Sequence, residues 1–266
     1  MCQPDFFKVS YEINPWMEGN INQASQSTAA KQWQGLAERV SHHAKVKLIQ
    51  PQKTLPDMVF TANGGLIHGK KVIISQFTPK ERQGESDYFH QWFTRNGFEI
   101  IPMPRDLSFE GAGDALFDRS NPRRLWAAYG FRSSYESHQW IASQLDIDVM
   151  SLKLIDARFY HLDTCFCPLN GGYIMYYPGA FSDESLHLLH DQVDEEFLIK
   201  VSEDDAIDFA LNAVNLGDVI ILHKASHHLR SELEFLGFKV IESPVDEFMK
   251  AGGSTKCLTL RLDEAV

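Results

Sequence analysis

The sequence has few cysteines, no basic excess and no long apolar run. Four cysteines in 266 residues are too few for a disulfide scaffold. Cys165 and Cys167 lack the C-x-x-C spacing of common zinc sites, so we interpret this pair as packing in a strand. No apolar stretch approaches the roughly 20 residues that cross a bilayer, and the first residues lack the basic and apolar regions of a leader. We therefore expect a cytoplasmic protein that does not bind membranes.

Acidic residues outnumber basic ones, 36 against 25, which gives a formal net charge of −11. This charge disfavours nucleic acid as a partner and allows a small cationic substrate, although it could equally serve only to keep a protein in solution. The hydrophobic content of 44% is sufficient for a packed core. Because no linker or low-complexity segment interrupts the chain, we expect one domain over residues 1–266. The sequence leaves the oligomeric state open, with a homo-oligomer allowed.

One pattern recurs along the chain: a turn, an apolar strand, a second turn and an amphipathic helix. The four strands are expected within 69–77, 122–131, 171–181 and 217–224. The helices that follow them are expected through Tyr88–Trp92, through Trp140, over Leu186–Leu189 and over Leu229–Leu236. A fifth helix, Thr28–His43, leads into the apolar segment 46–51. A spacing of about 50 residues is typical of repeat architectures. The pattern predicts one closed α/β domain with near-fivefold internal symmetry and a ligand site at its central channel.

Cys257 lies in the segment GGSTKCLTL (252–260). The alternation of Leu258, Leu260 and Leu262 after it predicts a buried strand. A thiol at such a loop-to-strand junction would be held rigidly and still be reached from outside. A free cysteine is more often a small core residue, so its role depends on its partners.

Polar residues interrupt three apolar segments in which burial is expected. Asp57 and Asn63 lie in 55–67, Glu110 and Asp114 in 107–117, and His161 and Asp163 in 157–169, while Arg132 follows an aromatic strand. Each residue taken alone fits an ordinary turn or a hydrogen-bonded core position. Buried carboxylates are costly unless they are paired, however. The combination indicates that these side chains meet at one centre together with Cys257.

Four motifs, PDMVFTANGG, FEGAGDALF, FYHLDTCFCPL and GGSTKCLTL, closely resemble those of the guanidino-group-modifying enzymes, the pentein superfamily. That superfamily includes arginine deiminases, dimethylarginine dimethylaminohydrolases, amidinotransferases and bacterial arginine dihydrolases. The similarity also covers YEINPWM (11–17) and NAVNLGD (212–218). It implies a five-bladed α/β propeller built from pseudo-fivefold ββαβ repeats.

The resemblance also implies roles for individual residues. Cys257 matches the nucleophile, His161 the general acid and base, Glu110 the carboxylate that orients the histidine, and Asp163 the guanidinium-binding carboxylate. The remaining candidates for substrate binding are Asp114 (ligand contact or support), Asp57 (outer part of the substrate), Arg132 and Arg82 (substrate carboxylate), and Asn14 in the loop 10–20. No cofactor and no metal are expected, because acidic side chains can bind the cation and a thiolate can attack it.

Asn63 departs from the deiminase and dimethylaminohydrolase patterns, which have a second guanidinium-binding aspartate here. An amide weakens the preference for a cation and can donate to a carbonyl oxygen, which a carboxylate cannot do. FTAN in this place resembles the arginine dihydrolases, so we expect conversion of arginine to ornithine, carbon dioxide and two ammonia. The alternatives are a dimethylarginine hydrolase or arginine deiminase that stops at citrulline, an amidinotransferase, a citrulline hydrolase, a non-catalytic binding protein of the same fold, and a structural domain without activity.

Overall fold

The computed structural model describes residues 1–264, and over these residues the strands form four separate sheets of three. Every sheet has the same topology. Two antiparallel strands form a hairpin, and a third strand, which follows a helix, pairs in parallel with the second. The sequence prediction of repeated ββαβ units within an α/β protein is therefore confirmed for these four units.

The chain reaches the sheets after helix α1 (Gln26–Ser41). The first unit consists of β1 (Gly65–His68), β2 (Lys71–Ile74), α2 (Glu85–Arg95) and β3 (Glu99–Ile101). The second consists of β4 (Ala115–Phe117), β5 (Arg124–Tyr129), α3 (Tyr135–Leu145) and β6 (Asp148–Lys153). The third consists of β7 (Phe166–Pro168), β8 (Ile174–Tyr176), α4 (Asp183–Gln192) and β9 (Leu198–Lys200). After the short helix α5 (Glu203–Ile207), the fourth consists of β10 (Val214–Leu216), β11 (Val219–Leu222), α6 (His227–Phe235) and β12 (Lys239–Glu242), and α7 (Asp246–Met249) follows.

The helices form where the sequence pattern places them, for two local reasons. Serine side chains cap several of their N-termini: Ser182 accepts a hydrogen bond from a backbone N–H of α4, and Ser226 does the same for α6. Each helix also buries one apolar face, such as Phe89 and Phe93 of α2. No helix of residues 1–264 is both long and apolar enough to span a bilayer.

The apolar segment 46–51 forms no strand of a sheet. Only a single parallel bridge joins Ile49 to Cys2. Helix α1 therefore lacks a three-stranded sheet of its own, unlike the helices of the four units.

The expected strand over Leu258, Leu260 and Leu262 is wrong. Cys257 lies in a turn, in which the N–H of Leu258 donates to the carbonyl of Ser254 at 3.2 Å and the N–H of Thr259 donates to that of Lys256 at 3.0 Å. The backbone donors that a sheet would use are thus engaged locally. Leu258 is nevertheless fully buried. The alternating leucines therefore reflect packing against the core and not pairing with another strand.

Short 3-10 turns precede the first strands of three units. They span Thr61–Gly64 before β1, Gly111–Gly113 before β4 and Leu162–Thr164 before β7. The second of these turns packs against both of the others, and the N–H of Ala62 donates to the carbonyl of Cys257. The repeat thus brings the polar residues of successive units to one centre.

Candidate active site

A small cavity lies where these turns meet the loop 10–20 and the Cys257 turn. Its volume is about 10 Å³, close to that of one water molecule. It is lined by Ile13, Asn14, Asp57, Phe60, Asn63, Arg82, Arg132, Tyr160, His161, Ala251, Gly253 and Cys257. A second cavity of about 620 Å³ has mostly apolar walls and is lined by neither Cys257 nor His161. Because a reaction needs its polar groups together, we assign the candidate site to the small cavity.

Cys257 is held on both sides by Asn212. Its N–H donates to Oδ1 of Asn212 at 3.0 Å, and Nδ2 of Asn212 donates to the Cys257 Sγ at 3.1 Å. Both carboxylate oxygens of Asp163 lie 3.7 Å from that sulfur. Burial, followed by the charge of Asp163, raises the pKa of the Cys257 thiol well above its ordinary value. Both effects favour the neutral thiol, and a cation bound next to the sulfur would favour the thiolate.

His161 and Glu110 form a buried pair. Nε2 of His161 lies 2.7 Å from Oε2 of Glu110, and the same oxygen accepts a hydrogen bond from Nη1 of Arg132 at 3.2 Å. Burial alone would raise the pKa of Glu110, but the hydrogen bond and charge of His161, followed by the charges of Arg132 and Arg82, hold this pKa at about 2. Glu110 is thus ionised at neutral pH, fixes the imidazole ring and leaves Nδ1 for proton transfer.

Asn63 is held by groups from two other segments. Its Oδ1 accepts a hydrogen bond from Nη1 of Arg82 at 2.9 Å, and its Nδ2 donates to the backbone carbonyl of Glu110 at 3.2 Å. Arg82 in turn makes two hydrogen bonds with the carboxylate of Glu85, at 2.8 Å and 2.9 Å. Arg82 therefore lines the cavity while most of its donors face protein groups.

Asp57, Arg132 and Asn14 also line the cavity. Oδ2 of Asp57 accepts a hydrogen bond from Tyr11 at 3.0 Å, whereas its buried Oδ1 has no partner within residues 1–264. Arg132 stacks on the Tyr160 ring at 4.6 Å and donates to the carbonyl of Ile13 at 2.7 Å. Nδ2 of Asn14 donates to the carbonyl of Ala251 at 3.1 Å. The loop 10–20 is thereby tied across the cavity.

Asp114 does not line the cavity, and neither do Asp163 and Glu110, but both carboxylate oxygens of Asp114 are already engaged by protein groups. Its Oδ2 accepts a hydrogen bond from Ser133 at 2.6 Å, and its Oδ1 accepts one from the N–H of Leu162 at 3.2 Å. Burial raises the pKa of Asp114 to about 6. Ser133 also accepts a hydrogen bond from the N–H of Glu110 at 3.0 Å. Asp114 therefore braces the backbone next to His161, which is the supporting alternative named from the sequence.

The model of one protein family, N,N dimethylarginine dimethylhydrolase, eukaryotic, matches residues 11–263 of this chain. The chain belongs to this family. The resemblance seen in the four sequence motifs is thus confirmed. Among curated members, the N(G),N(G)-dimethylarginine dimethylaminohydrolase of Mycobacterium tuberculosis is 38% identical over 98% of this chain and 84% of its own length.

Two further relatives are more similar to this chain in sequence than that protein is. The bifunctional arginine dihydrolase/ornithine cyclodeaminase AgrE of Nostoc sp. is 55% identical over 100% of this chain, which spans 38% of that protein. The solved N-terminal domain of ArgZ, a cyanobacterial arginine dihydrolase, is also 55% identical. That structure is a cysteine-to-serine mutant bound to its substrate, and it superposes with a TM-score of 0.98 over 100% of this chain and 97% of its own. The family member described here therefore corresponds to one domain of a longer relative.

Several residues of the site were not singled out from the sequence. Asn212 holds Cys257, Glu85 holds Arg82, Tyr160 underlies Arg132, and Ser133 links Glu110 to Asp114. Asn212 begins the NAVNLGD segment that carries part of the resemblance, so this motif was the available signal. Tyr160 and Ser133 act through contacts between distant segments, for which the sequence pattern offers no signal, whereas Glu85 lies only three residues after Arg82.

Proposed function

We propose that this chain is a cysteine-dependent arginine dihydrolase, which converts arginine and two water molecules to ornithine, carbon dioxide and two ammonia. The observation that carries the proposal is that the amide of Asn63 lines the same small cavity as the Cys257 thiol and His161. The similarity to AgrE and to the ArgZ domain supports the same reaction. In the deiminase and dimethylaminohydrolase patterns, a second aspartate occupies the position of Asn63. Its charge would favour a cationic substrate over a neutral one.

In the first cleavage, Asp163 binds the guanidinium beside the sulfur of Cys257. The positive charge of the substrate favours ionisation of the Cys257 thiol, whose proton passes to His161, and the thiolate attacks the central carbon of the guanidinium. His161 gives this proton to the departing amino group, which leaves as ammonia, and an S-alkylthiouronium remains. The same histidine then removes a proton from water, which releases citrulline and restores the thiol. Glu110 orients His161 throughout, in keeping with the 2.7 Å contact between them.

In the second cleavage, the ureido group of citrulline stays beside the same sulfur. Nδ2 of Asn63 keeps one N–H for the ureido oxygen while the other donates to the Glu110 carbonyl. Thiolate attack on the ureido carbon expels the second ammonia and leaves an S-thiocarbamate. A second water cleaves the carbon–sulfur bond to a carbamate, which loses carbon dioxide to give ornithine. A carboxylate at Asn63 could not make this donation.

The outer part of the cavity suits the amino acid end of the substrate. The unpartnered Oδ1 of Asp57 can accept a hydrogen bond from the ammonium group of the substrate. Such a partner would offset the cost of burying this carboxylate. Arg132 presents guanidinium donors that suit a substrate carboxylate. Arg82 can contribute only an N–H that Glu85, Asn63 and the Asp57 carbonyl leave free. Asn14 lies in the loop that crosses this end, so the loop must shift before a molecule as large as arginine can enter.

The test is incubation of the purified protein with L-arginine, without added metal, and separation of ornithine from citrulline over time. Ornithine with about two ammonia per arginine is the expected result. Citrulline alone would mean a one-step deiminase and would overturn the second cleavage. Absence of any product from arginine would overturn the proposal as a whole.

The match to the dimethylarginine family model favours one second candidate. A dimethylarginine dimethylaminohydrolase would release dimethylamine and citrulline from asymmetric dimethylarginine by the first of the two cleavages. Parallel incubations with arginine and dimethylarginine separate the two candidates, because dimethylamine forms only from the methylated substrate. Faster turnover of dimethylarginine would favour this second candidate.

We also propose that the four units and the α1 segment close as a five-bladed α/β propeller, in one catalytic domain over residues 1–266. The parallel Cys2–Ile49 bridge beside α1 supports a fifth, reduced blade. A cytoplasmic location and the absence of nucleic acid or membrane partners belong to the same proposal, because the thiol must stay reduced and the chain carries a net charge of −11. Thiol titration of protein taken directly from the cell would check the reduced state.

A further inference from the structure

Lys256 precedes Cys257 but points away from the small cavity. Its side chain lines the cavity of about 620 Å³, whereas that of Cys257 lines the candidate site. Nζ of Lys256 donates to the carbonyl of Ala112 at 2.7 Å and lies 3.5 Å from Oδ2 of Asp163. Lys256 therefore lies within ion-pair distance of the Asp163 carboxylate without lining the small cavity.

Few other groups stabilise the ionised form of Asp163. Its carboxylate is 1% exposed, and the hydrogen bonds it accepts within residues 1–264 come from the weak thiol donor of Cys257. Burial raises the pKa of Asp163, and the cation of Lys256, followed by that of a protonated His161, opposes this rise. An empty pocket with a protonated Asp163 could not attract a guanidinium without first losing that proton.

Other ionisable groups also face Asp163. Tyr160, His161 and Cys165 lie on its own segment, Asp114 accepts a hydrogen bond from the N–H of the preceding residue, Leu162, and Cys257 and Lys256 belong to the C-terminal turn. Burial raises the pKa values of Tyr160 and Cys165, so these two are neutral at working pH. Lys256 is thus the one permanent cation within ion-pair distance of Asp163 in the described chain.

We propose that Lys256 is a positioning residue that keeps Asp163 ionised in the empty pocket and balances the charge of the Cys257 thiolate during the reaction. With arginine bound and the thiol ionised, the guanidinium and Lys256 provide two cations for the two anions, Asp163 and Cys257. Without Lys256, the buried cluster formed by the guanidinium, Asp163 and the Cys257 thiolate would carry an uncompensated negative charge. This inference rests on the proposed function, since it assumes a guanidinium next to Asp163.

The test compares Lys256→Gln with Lys256→Arg. Gln keeps an N–H donor for the Ala112 carbonyl but lacks the charge, whereas Arg keeps the charge, and the adjoining 620 Å³ cavity has room for its greater length. An opposite charge at this distance lowers a carboxyl pKa by about 1–3 units. We therefore expect Lys256→Gln to move the acid limb of kcat/KM upward by about one unit or more and to raise KM for arginine about tenfold at pH 7. Lys256→Arg should restore both quantities.

A second readout does not depend on turnover. Each substitution is combined with Cys257→Ser, and arginine binding is measured by calorimetry in buffers of different ionisation enthalpy. The Lys256→Gln protein should release a proton when arginine binds near pH 7, because the guanidinium displaces the proton of Asp163, whereas the Cys257→Ser and Lys256→Arg proteins should not. A purely structural role would lower the thermal midpoint without proton release.

The matched control is Lys224→Gln, which removes a surface ion pair with Asp208 and should change neither the pH profile nor KM. Equal affinity, equal proton release and an unmoved acid limb in Lys256→Gln would overturn the inference alone. Failure of the Cys257→Ser protein to bind arginine would instead overturn the proposed function, and with it the inference.

Discussion

Arg82 donates a hydrogen bond to the side-chain oxygen of Asn63 at 2.9 Å, and this contact determines which way the Asn63 amide faces. A guanidinium can only donate, so the oxygen must lie towards Arg82 and the NH₂ group towards the Glu110 carbonyl. Glu85 in turn keeps Arg82 in place with two hydrogen bonds. Three side chains from two segments thus fix a single donor group in the pocket.

Asn63→Asp should make citrulline accumulate in place of ornithine. A carboxylate has no hydrogen to donate to the ureido oxygen and binds the cationic substrate better than the neutral intermediate. The measurement is the citrulline-to-ornithine ratio during arginine turnover. Asn170→Asp at an exposed turn introduces the same charge change elsewhere and should leave the ratio alone. An unchanged ratio in Asn63→Asp would remove the reason for assigning the second cleavage.

Gly113→Ala should impair the second cleavage more than the first. A methyl group on Gly113 would overlap Nδ2 of Asn63, so the amide would have to leave its present position. Misplacement of a positioning group by about 1 Å can cost up to 100-fold in rate. We expect ornithine formation to fall by about 10- to 100-fold, while citrulline formation falls less.

The control for this change is Gly35→Ala within α1. There the added methyl group would approach only the flexible end of Arg39. This variant should keep the wild-type product ratio. A Gly113→Ala protein that makes ornithine at the wild-type rate would show that the Asn63 position is not critical.

Cys257→Ser should abolish turnover, by about 10³-fold or more, and retain arginine binding. The hydroxyl is a much weaker nucleophile than the thiolate, while Asp163 and Asp57 stay in place. Product analysis and calorimetry on the same preparation would measure the two properties. Cys167→Ser keeps a donor for the carbonyl of Ala213, outside the small cavity, and should remain active. Equal turnover by both variants would be incompatible with Cys257 as nucleophile.

His138 should make the protein less stable as the pH falls. It is buried between the Ser151 hydroxyl and the Ala128 carbonyl, and burial lowers its pKa from 6.5 to about 4. Between these pH values the unfolded state binds the proton and the folded state does not. The free energy of unfolding therefore falls from about pH 6.5 towards pH 4, by at most about 1.4 kcal/mol per pH unit.

Urea midpoints from pH 4 to pH 7.5 would measure this dependence. His138→Gln should flatten the slope in that window, whatever its effect on absolute stability, and the exposed His42→Gln should leave the slope as it is. The same slope in wild type and His138→Gln would assign the acid sensitivity to other groups.

The fold was largely predictable because its repeats are local. Apolar periodicity, serine caps and turns lie within each ββαβ unit, and the helices formed where the pattern placed them. The absence of a C-terminal strand was not predictable. The alternation of Leu258, Leu260 and Leu262 reflects burial and does not reveal whether a partner strand is available. The polar residues of the site were also identifiable, because carboxylates and a histidine in apolar segments are costly to bury without partners.

The contacts among these residues could not be predicted. The Arg82–Glu85 pair, the Asn212 cradle of Cys257 and the Lys256–Asp163 approach depend on side-chain directions in the folded chain. Asp114 illustrates the same limit. Its motif identifies a functional segment, but only its bonds to Ser133 and Leu162 distinguish a brace from a ligand contact.

The small size of the cavity has a kinetic consequence for a two-step reaction. A pocket of about 10 Å³ can release citrulline only when the segment around Asn14 moves aside. The fate of each citrulline molecule is then decided by competition between opening of this segment and the second attack by Cys257. If the proposed function holds, slow opening would make the enzyme processive, so that free citrulline would hardly appear in solution, whereas a loosened segment would turn the same residues into a leaky deiminase.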